Sequence, residues 1–510
     1  MQEITRFASL PALIIALSAP AAYADLKAAD VWADWKSYME STGYEITASE
    51  ATSGGTLTVS DLSMSIDVSD DTDQVKVDIV MDELVFSENG DGSVSIGLPD
   101  TTGFDVETIG SDGEDVKVRI DVAQTAPAMT ASGDPGDMVY DYSADSVTMR
   151  MGTLNVDGII ITEEIAKFVV TMNDMDYQAK TAVGDLRSIV QDMSVGAIDY
   201  DVFFEDPEGE GTFKLKGGMQ GVAFAGAGEL PLDTDTQDLN AMLNDGFTFD
   251  GTFSASGGNY DMTFNSPEGN GTINSTSTGG ELRVAMDPGG IAYDVLQTGL
   301  SMNMLLPDVP LPISFSAAQS AVNMLIPVQK SDEEQDFALA VAMQDFAMSD
   351  MIWGLFDPAG QLPRDPATLV VDLSGKAKVL FDFLDPEQAN ALESTGVAPG
   401  ELNALTLNKL ELDAVGARLT GAGDFTFDNG DLVTFDGMPR PQGGVDLTLV
   451  GGNGLIDKLV GMGLLPEDQA MGARMMMGLF AVPGEGEDTL NSRIEVNEEG
   501  QVLANGQRLR

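Results

Sequence analysis

Along most of the chain, apolar residues alternate with polar residues at every second position. This period is typical of β-strands that bury one face. Between residues 44 and 151 such runs are separated by clusters of Gly, Asn, Asp and Pro, as at residues 89–92. These residue types form the tight turns that connect the strands of an antiparallel meander. The pattern continues through residues 152–200 and 281–350. The sequence therefore predicts a mainly β fold, with large antiparallel sheets forming either a curved groove or sandwich-like lobes.

A few short stretches have helical spacing instead and are predicted to cover the sheets. In the first of them, Trp32 and Trp35 lie among apolar residues spaced i, i+3 and i+4, so we expect these tryptophans to cover a sheet edge or face. Capping signals and apolar spacing place the predicted helices at residues 25–43, 238–244, 385–396, 455–460 and 466–483.

One segment of the chain occurs twice, sixty residues apart. Residues 200–212 read YDVFFEDPEGEGT and residues 260–272 read YDMTFNSPEGNGT, with eight of thirteen positions identical. Each copy predicts a strand, a Pro-Glu-Gly turn and a returning strand. We interpret the pair as an internal duplication, with chance reuse of turn residues as the alternative. After the first turn, Lys214 and Lys216 should lie across from Asp201 or Glu205.

Length and composition indicate the domain organisation and the compartment. Residues 1–24 resemble a secretory signal, with Arg6, an apolar run and a small-residue cleavage site. The remaining chain exceeds the size of one compact core, so we expect a β-rich lobe over residues 25–300, containing the sixty-residue repeat, and a second over 301–510. No later apolar run is long enough for a transmembrane helix. We predict an exported, periplasmic protein.

The charge of the chain narrows the classes of partner. With 83 acidic and 25 basic residues, the formal net charge is -58. Nucleic-acid binding requires the opposite sign, so no nucleic acid is expected as a partner. The chain has no cysteine and no histidine, which excludes disulfides, thiolate or imidazole metal sites and His-based catalytic triads. No P-loop or nucleophile-elbow motif is present. We therefore predict no cofactor and no enzymatic activity.

Clustered acidic residues raise calcium binding as a separate hypothesis. Asp70, Asp71 and Asp73 form one cluster, and a second cluster lies at residues 233–238. Neither cluster has the glycine and distal glutamate of an EF-hand loop. The segment at residues 451–457 comes near to a calcium-binding nonapeptide but occurs once and places its aspartate one residue late. Solvated acidic turns are the preferred interpretation.

Two groups of residues are candidates for contact with an apolar ligand. The helix predicted after Pro466 is rich in methionine, a side chain that adapts to varied apolar surfaces. Packing on the terminal sheet is the preferred interpretation for this helix, because a periodic apolar stripe is normally core. The second group could line a groove or form an aromatic turn packed on a sheet. The candidates are Met471, Met475 and Met476 in the helix and Trp353, Phe356 and Arg364 in the second group.

Four segments carry a resemblance to a known family. They are FDPAGQLPRDPATLVVDLSG at residues 356–375, the first repeat copy, GLLPEDQAMGARMMMGLF at residues 463–480, and QVLANGQR near the end. With these segments the chain resembles the bacterial family called domain of unknown function 2125. The resemblance implies an exported protein of Gram-negative, alphaproteobacterial origin and assigns no catalytic residues. More loosely, strand meanders with short covering helices are similar to envelope proteins of the AsmA and YdgA kind, which implies an elongated groove for apolar ligands.

Two functions remain open from the sequence. The first is a non-catalytic periplasmic protein that binds or shuttles an apolar or lipid ligand, or assists envelope assembly with a protein partner. A groove lined by inward-facing strand residues would do this without catalytic groups. The alternative is a structural or adhesive β-rich protein whose acidic surface meets solvent or calcium. A continuous apolar cleft would separate the two.

Overall fold

A computed structural model gives the fold of the chain. It describes residues 25–67, 74–109, 115–206, 209, 211–232, 238–385, 388, 392 and 398–510. The predicted signal at residues 1–24, the cluster Asp70, Asp71 and Asp73, and most of the predicted helix at 385–396 lie outside these residues. The predicted mainly β fold is confirmed: the described strands form one large antiparallel sheet with a few short helices.

The elements have the following bounds. The described helices are α1 (Ala28–Ser41), α2 (Leu239–Asn244), α3 (Asp350–Phe356), α4 (Gly452–Gly461) and α5 (Glu467–Phe480). The first strands are β1 (Glu45–Ser53), β2 (Thr56–Asp67), β3 (Gln74–Glu88), β4 (Val94–Gly97), β5 (Thr101–Ile109), β6 (Asp115–Thr125), β7 (Ala128–Asp134), β8 (Asp137–Val156), β9 (Ile159–Ile161), β10 (Ala166–Val183), β11 (Leu186–Glu205), β12 (Thr212–Pro231), β13 (Thr248–Ala255) and β14 (Gly257–Ser266). The remaining strands are β15 (Gly269–Ser277), β16 (Gly279–Asp287), β17 (Gly290–Leu305), β18 (Ile313–Ile326), β19 (Gln335–Met348), β20 (Ala367–Val379), β21 (Gly400–Ala414), β22 (Ala417–Asp428), β23 (Arg440–Val450), β24 (Val482–Pro483), β25 (Thr489–Val496), β26 (Val502–Ala504) and β27 (Gln507–Arg508).

The sheet follows the chain, because almost every strand pairs with its neighbours in sequence. At four places two short strands lie end to end in the position of one long strand: β4 with β5, β6 with β7, β13 with β14 and β15 with β16. From β17 to β23 each strand pairs with the next. The predicted boundary between two lobes at residue 300 stays a prediction; β17, which contains this residue, pairs on both sides.

A crease runs across the middle of the long strands. At this line the ladder pairing is interrupted, and one residue in every second strand has a left-handed backbone, which glycine and aspartate adopt most readily. The breaks between β13 and β14, at Ser256, and between β15 and β16, at Thr278, lie on the same line. The left-handed residues on the crease are Asp61 (φ 50), Ala126 (φ 51), Asp174 (φ 52), Gly221 (φ 53), Gly299 (φ 58) and Asp345 (φ 52).

The alternation of apolar residues changes phase at the crease. In β10 the apolar positions are even before Asp174, as at Phe168 and Val170, and odd after it, as at Tyr177 and Ala179. A strand of unbroken period two would place these two sets on opposite faces. The left-handed residue resets the period, so that one face of the sheet stays apolar on both sides of the crease. We call it the apolar face, and the opposite one the polar face.

We infer from the burial of residues along the crease that the sheet bends toward its apolar face. Apolar residues directly beside the crease are buried although none of the described helices covers them: Val195 and Val222 are each 1 % exposed and Ala317 is 4 % exposed. The crease residues Asp174 and Gly221 themselves are exposed. A trough explains this distribution of buried and exposed residues, because apolar side chains at the bottom of a trough shield one another from solvent. Residues at the strand ends form its half-exposed rims.

Helix α1 lies on the apolar face at the N-terminal end of the trough. Its two tryptophans pack on Phe86 of β3, with ring centroids 6.0 Å from Trp32 and 5.6 Å from Trp35. Phe86 is fully buried, and the Trp32 indole donates a hydrogen bond of 2.9 Å to Glu50. The prediction that the tryptophans cover the sheet is therefore confirmed, and this end of the molecule holds the largest cluster of buried apolar residues among those described.

Other local predictions have mixed outcomes. Helices α1, α2, α4 and α5 match predicted ones, and Gly43 follows the end of α1 with φ +97. Lys216 lies opposite Asp201 and its ammonium is 3.1 Å from that carboxylate, as predicted. The prediction for Lys214 is wrong: it pairs with Phe203, and its ammonium lies 5.2 Å from the ring centroid.

Candidate apolar ligand site

The apolar face carries unbroken rows of apolar side chains across the strands. On one side of the crease, directly paired residues form one such row over eight adjacent strand positions. Antiparallel neighbours directly opposite one another are close enough for their side chains to touch, so the row is a continuous apolar surface. In order from β10 to β19 it consists of Tyr177, Met193, Phe224, Phe253, Leu282, Val295, Val322 and Val341.

A matching row lies on the other side of the crease. It joins strands β10, β11, β12, β14, β15, β17 and β18, and it exists on the same face only because the alternation changes phase. Both walls of the trough are therefore apolar. This second row consists of Phe168, Val202, Leu215, Met262, Ile273, Met304 and Ile313.

The polar face has the opposite character. The residues one position away from the first row include Asp192, Arg283, Asp294 and Asn323. The Arg283 guanidinium donates to the Asp294 carboxylate at 3.0 Å, and the Asn323 amide donates to the same carboxylate at 2.9 Å. The two faces thus separate the acidic surface of the protein from its apolar trough.

A depression of about 760 Å³ lies on the polar face. It includes the carboxylates of Asp141, Asp176 and Asp192 together with small side chains, and Gln178 donates to Asp141 at 2.7 Å. In the part of the chain that the structure describes, no three acidic side chains are placed to share a metal ion. We therefore place the candidate site on the apolar face.

Near the far end of the trough is an almost wholly apolar depression of about 440 Å³. It lies at the ends of β18, β19 and β20 and is lined by Ile326, Phe337, Leu339 and Phe383, among others. Ile326 is 42 % exposed and Leu339 is 41 % exposed. These values are high for side chains on an apolar face, and no described helix covers them.

At the near end, two cavities lie beside α1. The first, of about 330 Å³, lies between α1 and the apolar face and is open at one side, and the second, of about 180 Å³, shares Tyr38, Ile189 and Gln191 with it. The second cavity continues to Phe224 and Phe249 on the apolar face. The cavities therefore lead from beneath α1 into the trough.

A buried ion pair forms part of the wall of the first cavity. Arg187 is 3 % exposed, and its guanidinium donates to the Asp34 carboxylate at 2.7 Å. The other oxygen of Asp34 accepts a hydrogen bond of 2.9 Å from the Tyr140 hydroxyl. Burial, and then the adjacent Asp34 carboxylate, raises the pKa of Tyr140 far above its ordinary value. The hydroxyl is therefore a permanent donor that holds α1 on the sheet.

The candidates Trp353, Phe356 and Arg364 come together in one turn, formed by α3 and the residues after it. The rings of Trp353 and Phe356 are 5.0 Å apart, and the Arg364 guanidinium lies 5.7 Å from the Trp353 ring centroid. Arg364 also pairs with Asp350 and donates to the carbonyl of Asp357 at 3.2 Å. Trp353 and Arg364 thus hold the turn together, and Phe356, 36 % exposed, faces the surface.

Asp357 fixes the same turn from inside. Its fully buried carboxylate accepts backbone hydrogen bonds of 2.8 Å from Gln361 and 2.9 Å from Leu362. The bond from Gln361 is the main cause that holds the pKa of Asp357 below its ordinary value. A carboxylate that accepts backbone N–H groups in this way replaces the hydrogen bonds of a regular element.

The candidate methionines lie on α5 and point away from the sheet. Met471 is 69 % exposed, Met475 is 71 % exposed and Met476 is 50 % exposed. The preferred interpretation, that they pack on the terminal sheet, is therefore wrong. The helix is instead anchored by Ala470, which is 1 % exposed, and by an ion pair between Arg474 and Asp457 of α4.

The acidic segments considered for calcium have structural roles where they are described. Asp238 caps α2 by accepting a hydrogen bond of 2.8 Å from the backbone of Ala241. Residues 452–457, which come near to a calcium-binding repeat, belong to α4, and Asp488 accepts hydrogen bonds from the first residues of that helix. The lining of the trough, by contrast, was missed from the sequence. The signal that reveals it is the phase change of the apolar alternation.

The comparisons with known proteins identify a family and no relative of known function. The model of DUF2125, described as an uncharacterized protein conserved in bacteria, matches residues 258–508. No curated protein matches the chain. The looser similarity to AsmA and YdgA stays a prediction. Within the described residues, no helix combines the length and apolar character that crossing a membrane requires.

Proposed function

We propose that this chain, which belongs to the bacterial family DUF2125 through residues 258–508, binds or carries an apolar or lipid ligand in its trough. The proposal is non-catalytic and places the protein in the periplasm, in keeping with the signal-like residues 1–24. The observation that carries it is the pair of apolar rows on either side of the crease, on a face that leaves Phe168, Phe249 and Leu339 more than a third exposed. Soluble proteins seldom leave so continuous an apolar surface unused.

The dimensions of the trough suit an acyl chain. Eight strand positions with a spacing of about 4.8 Å give an apolar row roughly 34 Å long. That length is comparable with the hydrocarbon thickness of a bilayer, about 30 Å. Each buried methylene contributes about 0.8 kcal/mol, so ten of them would contribute about 8 kcal/mol before the cost of ordering the chain. Such binding needs no basic residue, so it is compatible with a chain whose net charge is -58.

The first test is native mass spectrometry, together with mass spectrometry after solvent extraction, on protein purified without detergent. We expect a reproducible co-purifying lipid or other apolar molecule. The variant Leu339→Asn places an amide in the apolar depression and should lower ligand occupancy about fivefold. The matched control is Ala340→Asn, one residue along β19 on the polar face, which should retain the ligand.

Two results would contradict the proposal. One is equal occupancy in both variants, since the ligand would then lie elsewhere. The other is the absence of any ligand together with no rise in Tm on adding lipids. If calcium raised the Tm in that case, the structural or adhesive function would take its place.

A further inference from the structure

Helix α1 does not fill the end of the trough; it roofs a cavity with a polar wall at one side. The cavity of about 330 Å³ is lined by the apolar surfaces of Trp35, Met39, Tyr177 and Ile189, and Arg187 lies at its wall. A volume of this size is at the lower end of the range for small-molecule sites. The cavity is therefore large enough for a polar head group and too small for a second helix.

The Arg187 guanidinium has more donors than the protein satisfies. A guanidinium carries five N–H donors. One of them bonds Asp34 at 2.7 Å, and the face of the group lies 5.3 Å from the Tyr38 ring centroid. Among the described residues its buried Nε has no hydrogen-bond acceptor. Buried donors are nearly always paired, so an oxygen acceptor is missing beside this group.

The charges around the cavity define which acceptor fits. Asp34 already neutralises Arg187, and the other polar side chains of the lining, such as Thr181 and Gln191, are uncharged. A carboxylate or phosphate would add a buried negative charge with no free cation to balance it, which is costly. A cationic head would find only a carboxylate that is already paired. An uncharged carbonyl oxygen meets the need for an acceptor without either cost.

The path of an attached chain is also defined. Tyr38, Ile189 and Gln191 border both the first cavity and the second one of about 180 Å³. The second cavity leads over Phe224 and Phe249 to the open apolar face. A molecule with its head at Arg187 would thus have its tail in the trough.

We propose that the cavity beneath α1 binds the head of an uncharged acyl amphiphile through its ester or amide carbonyl, with the acyl chain passing Ile189 into the trough. This inference rests on the proposed function and adds the ligand class and the end at which the ligand is recognised. The head would accept a hydrogen bond from Arg187 while the Asp34 pair stays intact.

The test compares two ligands of equal chain length on the purified protein at pH 8. Monooleoylglycerol is uncharged and oleate is anionic, so the two differ in the head group that Arg187 would meet. We expect monooleoylglycerol to raise the Tm and to bind at least about tenfold more tightly than oleate. Equal affinity, or tighter binding of oleate, would overturn the assignment of an uncharged head.

Two variants test the position of the ligand. Ile189→Trp fills the passage between the cavities and leaves the Arg187 and Asp34 pair in place; it should weaken monooleoylglycerol binding about tenfold. If this variant does not fold, Gln191→Trp blocks the same passage from the next position on that face. The matched control is Val190→Trp, one residue along β11 on the polar face, where Val190 is exposed; it should leave binding within about twofold. Loss in the control alone would overturn the proposed position.

Cross-linking separates the failure of this inference from failure of the trough function. A photoreactive diazirine analogue of monooleoylglycerol should label peptides containing residues 38–39 and 224–249. Saturable labelling confined to β18, β19 and β20 would overturn the head-group site and leave the trough function standing. No saturable labelling anywhere would overturn both.

Discussion

The two ends of the trough show what the same apolar pattern does with and without a covering helix. In the covered region, residues 25–144, α1 packs on the apolar face, and Val59 and Phe86 are fully buried. In the open region, residues 212–348, equivalent positions on the same face remain accessible, with Tyr293 38 % and Leu339 41 % exposed. The strands differ little in composition, so the presence of a helix decides which part is core and which part is surface.

This difference separates the stabilising role of apolar residues from a binding role. In the covered region the side chains beneath α1, such as Phe86, are fully buried, and their burial contributes fully to the free energy of unfolding. In the open region the same kind of side chain stays partly hydrated, and its remaining area is free for a ligand. A substitution should therefore affect stability in one region and ligand binding in the other.

The largest expected effect comes from truncating one residue in each region. Phe86→Ala removes a fully buried ring between Trp32 and Trp35 and should lower the free energy of unfolding by about 3–5 kcal/mol. Leu339→Ala, in the open region, should lower it by less than about 1 kcal/mol. Urea denaturation of ligand-free protein measures both. Similar losses in the two variants would mean that the open region is as well packed as the covered one.

A smaller effect is expected at the crease, which both regions share. Gly221 has φ +53, and an added Cβ would lie 2.4 Å from the Ser256 hydroxyl oxygen. Gly221→Val should therefore cost about 1–3 kcal/mol although valine favours strands. The control is Ala223→Val in the same strand, where the backbone is extended. If Gly221→Val were as stable as the control, the bend at the crease would not depend on the left-handed residue.

The smallest effect on stability is expected in the turn after β19, beside the open region, and it should disappear in acid. Because its folded pKa is lowered, the Asp357 carboxylate stabilises the fold above its unfolded pKa of about 3.9, and this contribution is lost as the pH falls through the folded pKa. Asp357→Asn should be less stable than the parent at pH 7, and the difference should shrink below about pH 4. Thermal unfolding from pH 7 to pH 3 follows it. A difference independent of pH would show that the charge of Asp357 does not matter.

Much of the fold follows from local patterns in the sequence. The alternation predicted the strands, and capping signals with apolar spacing predicted α1, α2, α4 and α5. The pairing of Lys216 with Asp201 followed from counting through a turn. Lys214 was mispredicted because, in the register that pairs Lys216 with Asp201, Lys214 lies opposite Phe203, two positions from either carboxylate. Such local rules act within a few residues and need no knowledge of the rest of the chain.

The candidate site was less accessible to sequence reasoning. The methionines of α5 form an apolar stripe, yet they face solvent, because the anchoring contact of that helix is made by Ala470. Trp353 and Arg364 proved to be parts of a closed turn. The cavity beneath α1 joins Asp34 to Arg187, residues 153 positions apart, and no local pattern relates them.

The sequence by itself determined the antiparallel strands, the acidic exterior and even the position of the crease, since the phase change at Asp174 and Gly221 is written in the order of apolar residues. These properties depend on backbone preference and side-chain period, which are local. Only the tertiary structure decided that the two apolar halves face each other as a trough, and that α1 covers one end and leaves the middle open. Those features depend on the bend of the whole sheet and on contacts between distant residues, which local periodicity does not encode.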